Sequence, residues 1–488
     1  NYGALRDLGY IEYLKGNIEN ANKLLKKIVN KKTTDPFPLN IFGLVFLKKN
    51  LFQEAINIFD QAISHNPKYI DSYNNLGKAY FDLEDLDRAF IFFKKAYKIS
   101  NNNSKTLINL GNFLSLRDKN LYAIKAYEKA LSNDPHNIEV YSNISLAYAR
   151  NRDFKNTNKF YELAQQNNNV SPALNLSMAY IYIYKNNFER AWDFFESRKH
   201  NSKFRQKESL IKKTSVAKKE TIINKKILVL REQGIGEEIL FSSMYKELIA
   251  LNNNLKIETD KRLISIFERS FQNKIFVPDG HYSKKEEALK EFDSIIFAGS
   301  LCAYFRKNKK DFLKAPYLDA DQTITKEAKK NQIFSSHQLK IGLSWKSVIS
   351  VYGKLKSLKL SEFAPLFKKG RQFINLQYGD VEGEINLEEN KNLELYSFDK
   401  IDLFNDLEGL MSILKNIDVF VTVSNSTAHI AAAMGIKTLL ICPKKSSTYF
   451  YWSNENNITP WYKNVQIFQV DKSIEITLGK IDKVLNSL

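Results

Sequence analysis

The sequence predicts an α-solenoid followed by two doubly wound parallel α/β sheets. Three observations lead there. Small and large residues recur with a 34-residue period through the first 200 positions, the period stops in a lysine-rich stretch, and strand–helix alternation then runs in two successive series.

The repeats come first. Gly9, Gly43, Gly77, Gly111, Ser145 and Ala179 stand 34 positions apart. Ala21, Ala55, Ala89, Ala123, Thr157 and Ala191 follow them by twelve positions, and Leu25, Phe59, Phe93, Tyr127, Tyr161 and Phe195 by sixteen. Pro67 and Pro135 fall at repeat ends. Small residues let two helices of a hairpin approach closely, and the large residue fills the space between hairpins. This spacing resembles the tetratricopeptide repeat, with six copies over residues 1–200. Asn75, Asn109 and Asn143 stand two positions before the small residue. The period would stack their amides as a ladder able to pair with an extended peptide backbone. That ladder is similar to the asparagine-lined superhelix of protein O-GlcNAc transferases, which implies a peptide groove.

The period ends in "RKHNSKFRQKESLIKKTSVAKKETIINKK" (198–226), with eleven basic residues against Glu208 and Glu220. Residues 201–224 read as a solvated basic linker, with peripheral contact to an anionic membrane surface as its functional reading. The whole chain carries 73 Lys and Arg against 54 Asp and Glu, a formal charge of +19. Such a charge suits anionic partners, but basic residues interleaved with aromatics in an RNA-binding signature are missing, so nucleic acid is not the expected partner. Cys302 and Cys442 lie far apart in apolar settings, as buried thiols of a reducing compartment do. No apolar run reaches the roughly 20 residues needed to span a bilayer, and no signal peptide is recognisable. The expectation is a cytoplasmic protein.

Residues 225–336 form the first α/β series and 337–488 the second. "KILVL", "LKIET", "KIFVP" and "SIIFAG" are the strands of the first; "KIGLSW", "QFINLQY", "DVFVTVS" and "TLLICP" those of the second. Ligands of such sheets bind beyond the carboxyl ends of strands, so the loops there hold the candidate site. After "KILVL" comes "REQGIGEEI": Gln233, Gly234 and Gly236 form a glycine loop, and Glu237 and Glu238 open a helix. Ile239 stands where a dinucleotide fingerprint needs its third glycine, and no Gly-Lys-Ser/Thr follows, which excludes a P-loop. Glu237 is the candidate general base for an acceptor hydroxyl. After "DVFVTVS", Ser424, Asn425, Ser426 and Thr427 cap a slim alanine-rich helix whose first N–H groups suit a diphosphate, with His429 in its first turn. Lys346 ends the first strand of this series, where a cation would neutralise a phosphate.

The stretches "EQGIGEEI", "IGLSW", "NLQYGD", "DLFNDLEGLMSILKNIDVFVTVSNSTAHIAAAMG" and "PWYKNVQIFQ" occur in that order over roughly residues 225–470. In this half the chain resembles tetratricopeptide proteins whose second part is similar to heptosyltransferases, glycosyltransferase family 9, of the GT-B fold. The resemblance implies sugar transfer from a nucleotide-diphosphate donor with no obligatory cofactor or metal. It also implies that the glycine loop faces the acceptor, that the loop holding Lys354 and Lys356 contacts phosphate, and that Gln377 and Tyr378 contact base or ribose. Two positions depart from the family pattern: Glu237 stands for an aspartate, and Ser424 replaces the acid that leads the histidine loop. These departures support the alternative function, a non-catalytic tetratricopeptide scaffold with a degenerate GT-B half. In either case a protein or peptide is the expected partner of the repeats.

Overall fold

The computed structural model describes residues 2–30, 33–167, 170–200, 208–232, 234–312, 315–347, 353, 356–443, 450–452, 459–470 and 473–488. They form two compact units, Asn1–Leu174 and Asn175–Leu488.

The first unit is built of helical hairpins: α1 (Tyr2–Leu14) with α2 (Ile18–Val29), α3 (Pro36–Lys48) with α4 (Phe52–His65), and α5 (Ile70–Asp82) with α6 (Leu86–Ile99). Then come α7 (Ser104–Leu116) with α8 (Asn120–Asn133) and α9 (Ile138–Arg150) with α10 (Phe154–Gln166). The small-to-large pairing is a direct contact. A Cβ added to Gly77 would lie 2.5 Å from the Phe93 ring, and Gly43 and Gly111 meet Phe59 and Tyr127 in the same way. Each hairpin turns through one left-handed residue: Gly16, Asn50, Glu84, Asp118 and Arg152, with Asn186 in the next copy. Only the first is glycine, and the others accept a conformation that costs an L-residue roughly 1–2 kcal/mol.

The sixth hairpin, α11 (Pro172–Tyr184) with α12 (Phe188–Phe195), falls almost wholly in the second unit. There Phe188, Trp192 and Phe195 share one buried core with both α/β sheets. The described residues of the following stretch do not run free as a solvated linker. Arg198 and Lys199 are buried, as are Leu210, Ala217 and Ile222, and Thr214 bridges to Ile295.

The first sheet has the parallel order β3-β2-β1-β4, from β1 (Ile227–Leu230), β2 (Leu255–Thr259), β3 (Phe276–Pro278) and β4 (Ser294–Phe297). The second has the parallel order β10-β9-β8-β5-β6-β7. Its strands are β5 (Leu339–Ser344), β6 (Arg371–Asn375), β7 (Leu395–Tyr396), β8 (Val419–Val423), β9 (Thr438–Cys442) and β10 (Val465–Gln469). Continuous apolar runs in β1, β4, β8 and β9 are buried along their whole length, as strands covered by helices on both faces must be. Register pairs Val229 with Ile296 and Val423 with Ile441, so the strands of each sheet end on the same side. Four helices frame the region beyond those ends: α13 (Ile235–Ser242), α14 (Ile264–Phe271), α15 (Leu407–Leu414) and α16 (Ser426–Ala433).

Candidate functional site

A cleft of about 360 Å³ opens at the carboxyl ends of both sheets. The first sheet contributes Arg231 after β1, Gly234 to Glu237, and Arg262 after β2. From the second sheet come Ser347 and Lys356 after β5, Tyr378 after β6, and the apolar Leu403, Phe404, Leu407 and Leu410. Ser424 to Thr427 and His429 follow β8 and complete the wall with Ile430 and Tyr451.

The glutamate pair divides its work. Gly234 is the N-cap of α13 in extended conformation, and Glu237 in the first turn lines the cleft half-buried. A Cβ on Gly234 would sit 3.6 Å from Glu237 Oε2, so the carboxylate lies beside the glycine loop. Glu238 instead turns inward. It is buried, takes the Asp260 N–H at 2.9 Å and the Thr259 hydroxyl, and pairs with Arg231 Nε at 2.6 Å. Burial raises its pKa, and Arg231 and Thr259 act against that rise. Its role is to hold Arg231 at the cleft edge.

Asn425 begins α16. Its Oδ1 accepts the Ala428 N–H at 3.0 Å, while its Nδ2 donates to Ser344 Oγ at 2.8 Å, tying the helix start to the end of β5. Ser424 Oγ accepts the Trp452 indole N–H at 2.9 Å. The small side chains of Ser426 and Thr427 leave the first helical turn at the cleft wall, where helix N-termini attract anions.

His429 is buried between Trp452, Tyr451 and Tyr462, with ring centroids 4.4, 4.8 and 5.9 Å away. Its Nδ1 meets Tyr462 Oη at 3.0 Å. The opposite ring edge faces the glycine loop: a Cβ on Gly236 would lie 2.9 Å from His429 Cδ2 and 3.5 Å from Nε2. Burial, with Lys356 adding to it, lowers the His429 pKa from 6.5 to about 3. The folded ring refuses a proton that the unfolded chain accepts below pH 6.5. Stability is therefore lost as pH falls from about 6.5 towards 3, by at most about 1.4 kcal/mol per pH unit. Urea unfolding at pH 7 and pH 5 should show that loss in the wild type and a shallower pH slope in His429→Gln.

The other expected residues are placed as follows. Lys356 is buried at the cleft wall. Lys346 stands away from the lining, its ammonium paired with Glu384. Gln377 is buried and its Oε1 accepts from the Trp345 and Lys346 N–H groups at 2.9 and 2.7 Å and from the Ser344 hydroxyl. That makes it a staple for the end of β5, and only its neighbour Tyr378 reaches the cleft. Gln233 and Lys354 lie outside the described residues. In the first unit hydrogen bonds tie Asn75 and Asn109 to side chains of neighbouring repeats. Asn75 donates to Asn40 Oδ1 at 2.8 Å and accepts from Lys105 at 3.0 Å, and Asn109 donates to Asn74 at 3.4 Å. Asn143 is half-buried on α9. Side-chain partners one repeat away take up the Asn75 amide.

Sequence reasoning passed over Arg231, Arg262 and Tyr462. The first two had a signal, since Arg231 follows directly on one predicted strand end ("KILVLR") and Arg262 stands three positions past another ("LKIETDKR"). Arg262 is held by Asp260 at 2.8 Å and lies 5.0 Å from the Phe404 ring. Among the described residues no group of three or more His, Cys, Asp or Glu is gathered as for a metal, and no helix is long and apolar enough to cross a membrane.

Residues 43–84 match the family described as TPR repeat, and residues 70–103 the family described as tetratricopeptide repeat. The chain is 22% identical to protein FlbA of Caulobacter vibrioides over 98% of its own length and 77% of that protein. It is 23% identical to BBSome complex member BBS4 of Bos taurus over 38% of its length and 42% of that protein. Among solved structures, a thermophilic TPR protein of Thermus thermophilus aligns with 34% of this chain and 91% of its own, at 19% identity and a TM-score of 0.32. The chain therefore carries N-terminal tetratricopeptide repeats followed by two parallel α/β sheets, consistent with a GT-B pair, and it is similar over nearly its full length to FlbA.

Proposed function

We propose that the α/β half is a metal-independent glycosyltransferase using a nucleotide-diphosphate sugar, and that the repeats recruit the acceptor or a protein partner. One observation carries the reading: a single carboxylate, Glu237, stands among the described lining residues beside Arg231, Arg262, Lys356 and the start of α16. The acceptor oxygen attacks the anomeric carbon, its proton passes to Glu237, and the sugar–phosphate bond breaks with its electron pair leaving on the diphosphate. Fixed cations and N–H donors around that leaving group stabilise the charge where it grows, an effect of several kcal/mol in sites of this kind. Tyr378 and the apolar Leu403 and Phe404 offer a surface for the nucleoside.

Calorimetry with a panel of nucleoside diphosphates tests this. At least one should bind the wild type at micromolar to millimolar concentration, and Lys356→Met should weaken it roughly tenfold by removing one charge-assisted contact. Absence of heat at millimolar ligand for the whole panel would overturn the reading. A non-catalytic scaffold is favoured by the pairing of Lys346 with Glu384, which occupies a cation expected at the phosphate. Donor hydrolysis or transfer by the purified chain excludes that alternative.

A further inference from the structure

We infer that His429 is a neutral imidazole carrying its proton on Nε2, held in that tautomer by Tyr462, and that this Nε2–H is a fixed hydrogen-bond donor to the diphosphate. The inference deepens the nucleotide-binding reading and rests on it.

The argument follows the hydroxyl protons. Tyr317 Oη donates to the Ile239 carbonyl at 2.9 Å and faces Tyr462 Oη as a donor at 3.5 Å. A carbonyl only accepts, so the shorter bond commits the Tyr317 proton to Ile239. Tyr462 then holds its own proton, and the good acceptor within reach is His429 Nδ1 at 3.0 Å. The reverse arrangement, Nδ1–H donating to Tyr462, would strand the Tyr462 proton inside a buried site, and buried polar groups seldom go unpaired. With Nδ1 occupied as an acceptor, a neutral ring must carry its proton on Nε2.

The surroundings keep the ring neutral. Tyr451, Trp452 and Tyr462 exclude water around it, and the charged group acting on it is the cationic Lys356. Nε2 lies on the ring edge that faces Gly236, itself a lining residue, and has no hydrogen-bond partner among the described residues. Tyr462 and, behind it, Tyr317 are thus positioning residues, anchored to the backbone of α13 through Ile239. The same arrangement makes His429 unsuited to proton transfer at neutral pH. It offers one oriented N–H at every pH at which the fold persists above the ring's own titration.

The test uses the full chain with ¹⁵N-labelled histidine. The His429 signals, assigned by their loss in His429→Gln, should show a protonated Nε2 and an unprotonated Nδ1 unchanged between pH 5 and 8. Tyr462→Phe, which keeps the ring volume, should shift the tautomer balance towards Nδ1–H and weaken inorganic pyrophosphate binding roughly tenfold. Its near-ultraviolet circular dichroism should stay that of the wild type. An Nδ1–H or imidazolium signal in the wild type overturns the inference, as does pyrophosphate affinity indifferent to Tyr462→Phe. If the wild type binds neither pyrophosphate nor any nucleoside diphosphate, the nucleotide-binding reading itself fails. The tautomer signals need no ligand, so the two failures are told apart.

Discussion

Glu237→Gln should leave nucleoside diphosphate affinity within about twofold of wild type and lower turnover by roughly 10²–10⁴-fold, the usual contribution of a positioned base. Glutamine keeps the side chain's length and its place in the first turn of α13 but cannot take a proton. Loss of a negative charge beside Arg231, Arg262 and Lys356 would, if anything, favour an anionic ligand. The informative measurement pairs calorimetry with transfer or donor hydrolysis on one preparation. Unchanged turnover with unchanged binding would remove Glu237 from the chemistry. Glu238→Gln offers a contrast: its partners are Arg231, Thr259 and Asp260, so its effects should appear in stability and, through Arg231, in diphosphate affinity, with no separate loss of turnover.

The largest stability effect is expected at Arg198. Its guanidinium is buried, bonded to Glu232 at 2.6 and 3.0 Å, to Glu196 at 3.0 Å and to Ser300 at 3.1 Å. Burial works against both charges, yet Arg198 and Lys199 outweigh it at Glu196 and hold that carboxyl at about 2. Arg198→Met leaves Glu232 buried with the Gly299 N–H but without its cation, and should cost about 3–5 kcal/mol. Arg198→Lys should cost less, since an ammonium keeps the charge and loses the two-pronged geometry. All four tryptophans, Trp192, Trp345, Trp452 and Trp461, lie in the second unit. Urea unfolding followed by tryptophan fluorescence therefore reports that unit alone. A loss below about 1 kcal/mol for Arg198→Met would show that water or a neighbouring group compensates Glu232.

Much of the fold was legible because two rules act locally. Repeat phase followed from close packing, where Gly43, Gly77 and Gly111 admit the rings of Phe59, Phe93 and Tyr127. Strands such as Ile227–Leu230 and Thr438–Cys442 announced themselves as continuous apolar runs. Hairpin turns were less visible, because left-handed Glu84 and Arg152 carry no glycine to mark them and take that conformation from the helices on either side. In the site, backbone features such as the Asn425 cap could be read from type and position. Side-chain partnerships across the fold could not. Whether Lys346 faces ligand or Glu384, and whether Glu237 or Glu238 turns inward, depends on residues far away in the chain. The two β-strands not anticipated, β7 with two residues and β10, lie at sheet edges. There the buried run of β10 is broken, with its second residue exposed and its third half-buried.

The placement of the sixth hairpin bears on how this protein can be dissected. Trp192 donates its indole N–H to the Arg306 carbonyl at 2.7 Å, and Phe188 packs 4.6 Å from Phe312, all inside the second unit. A fragment trimmed at the end of the last repeat would therefore peel an aromatic wall and a buried cation off the α/β half. Recombinant pieces and chimaeric arrays have to be spliced upstream of Asn175. The last hairpin travels with the α/β half as part of its body.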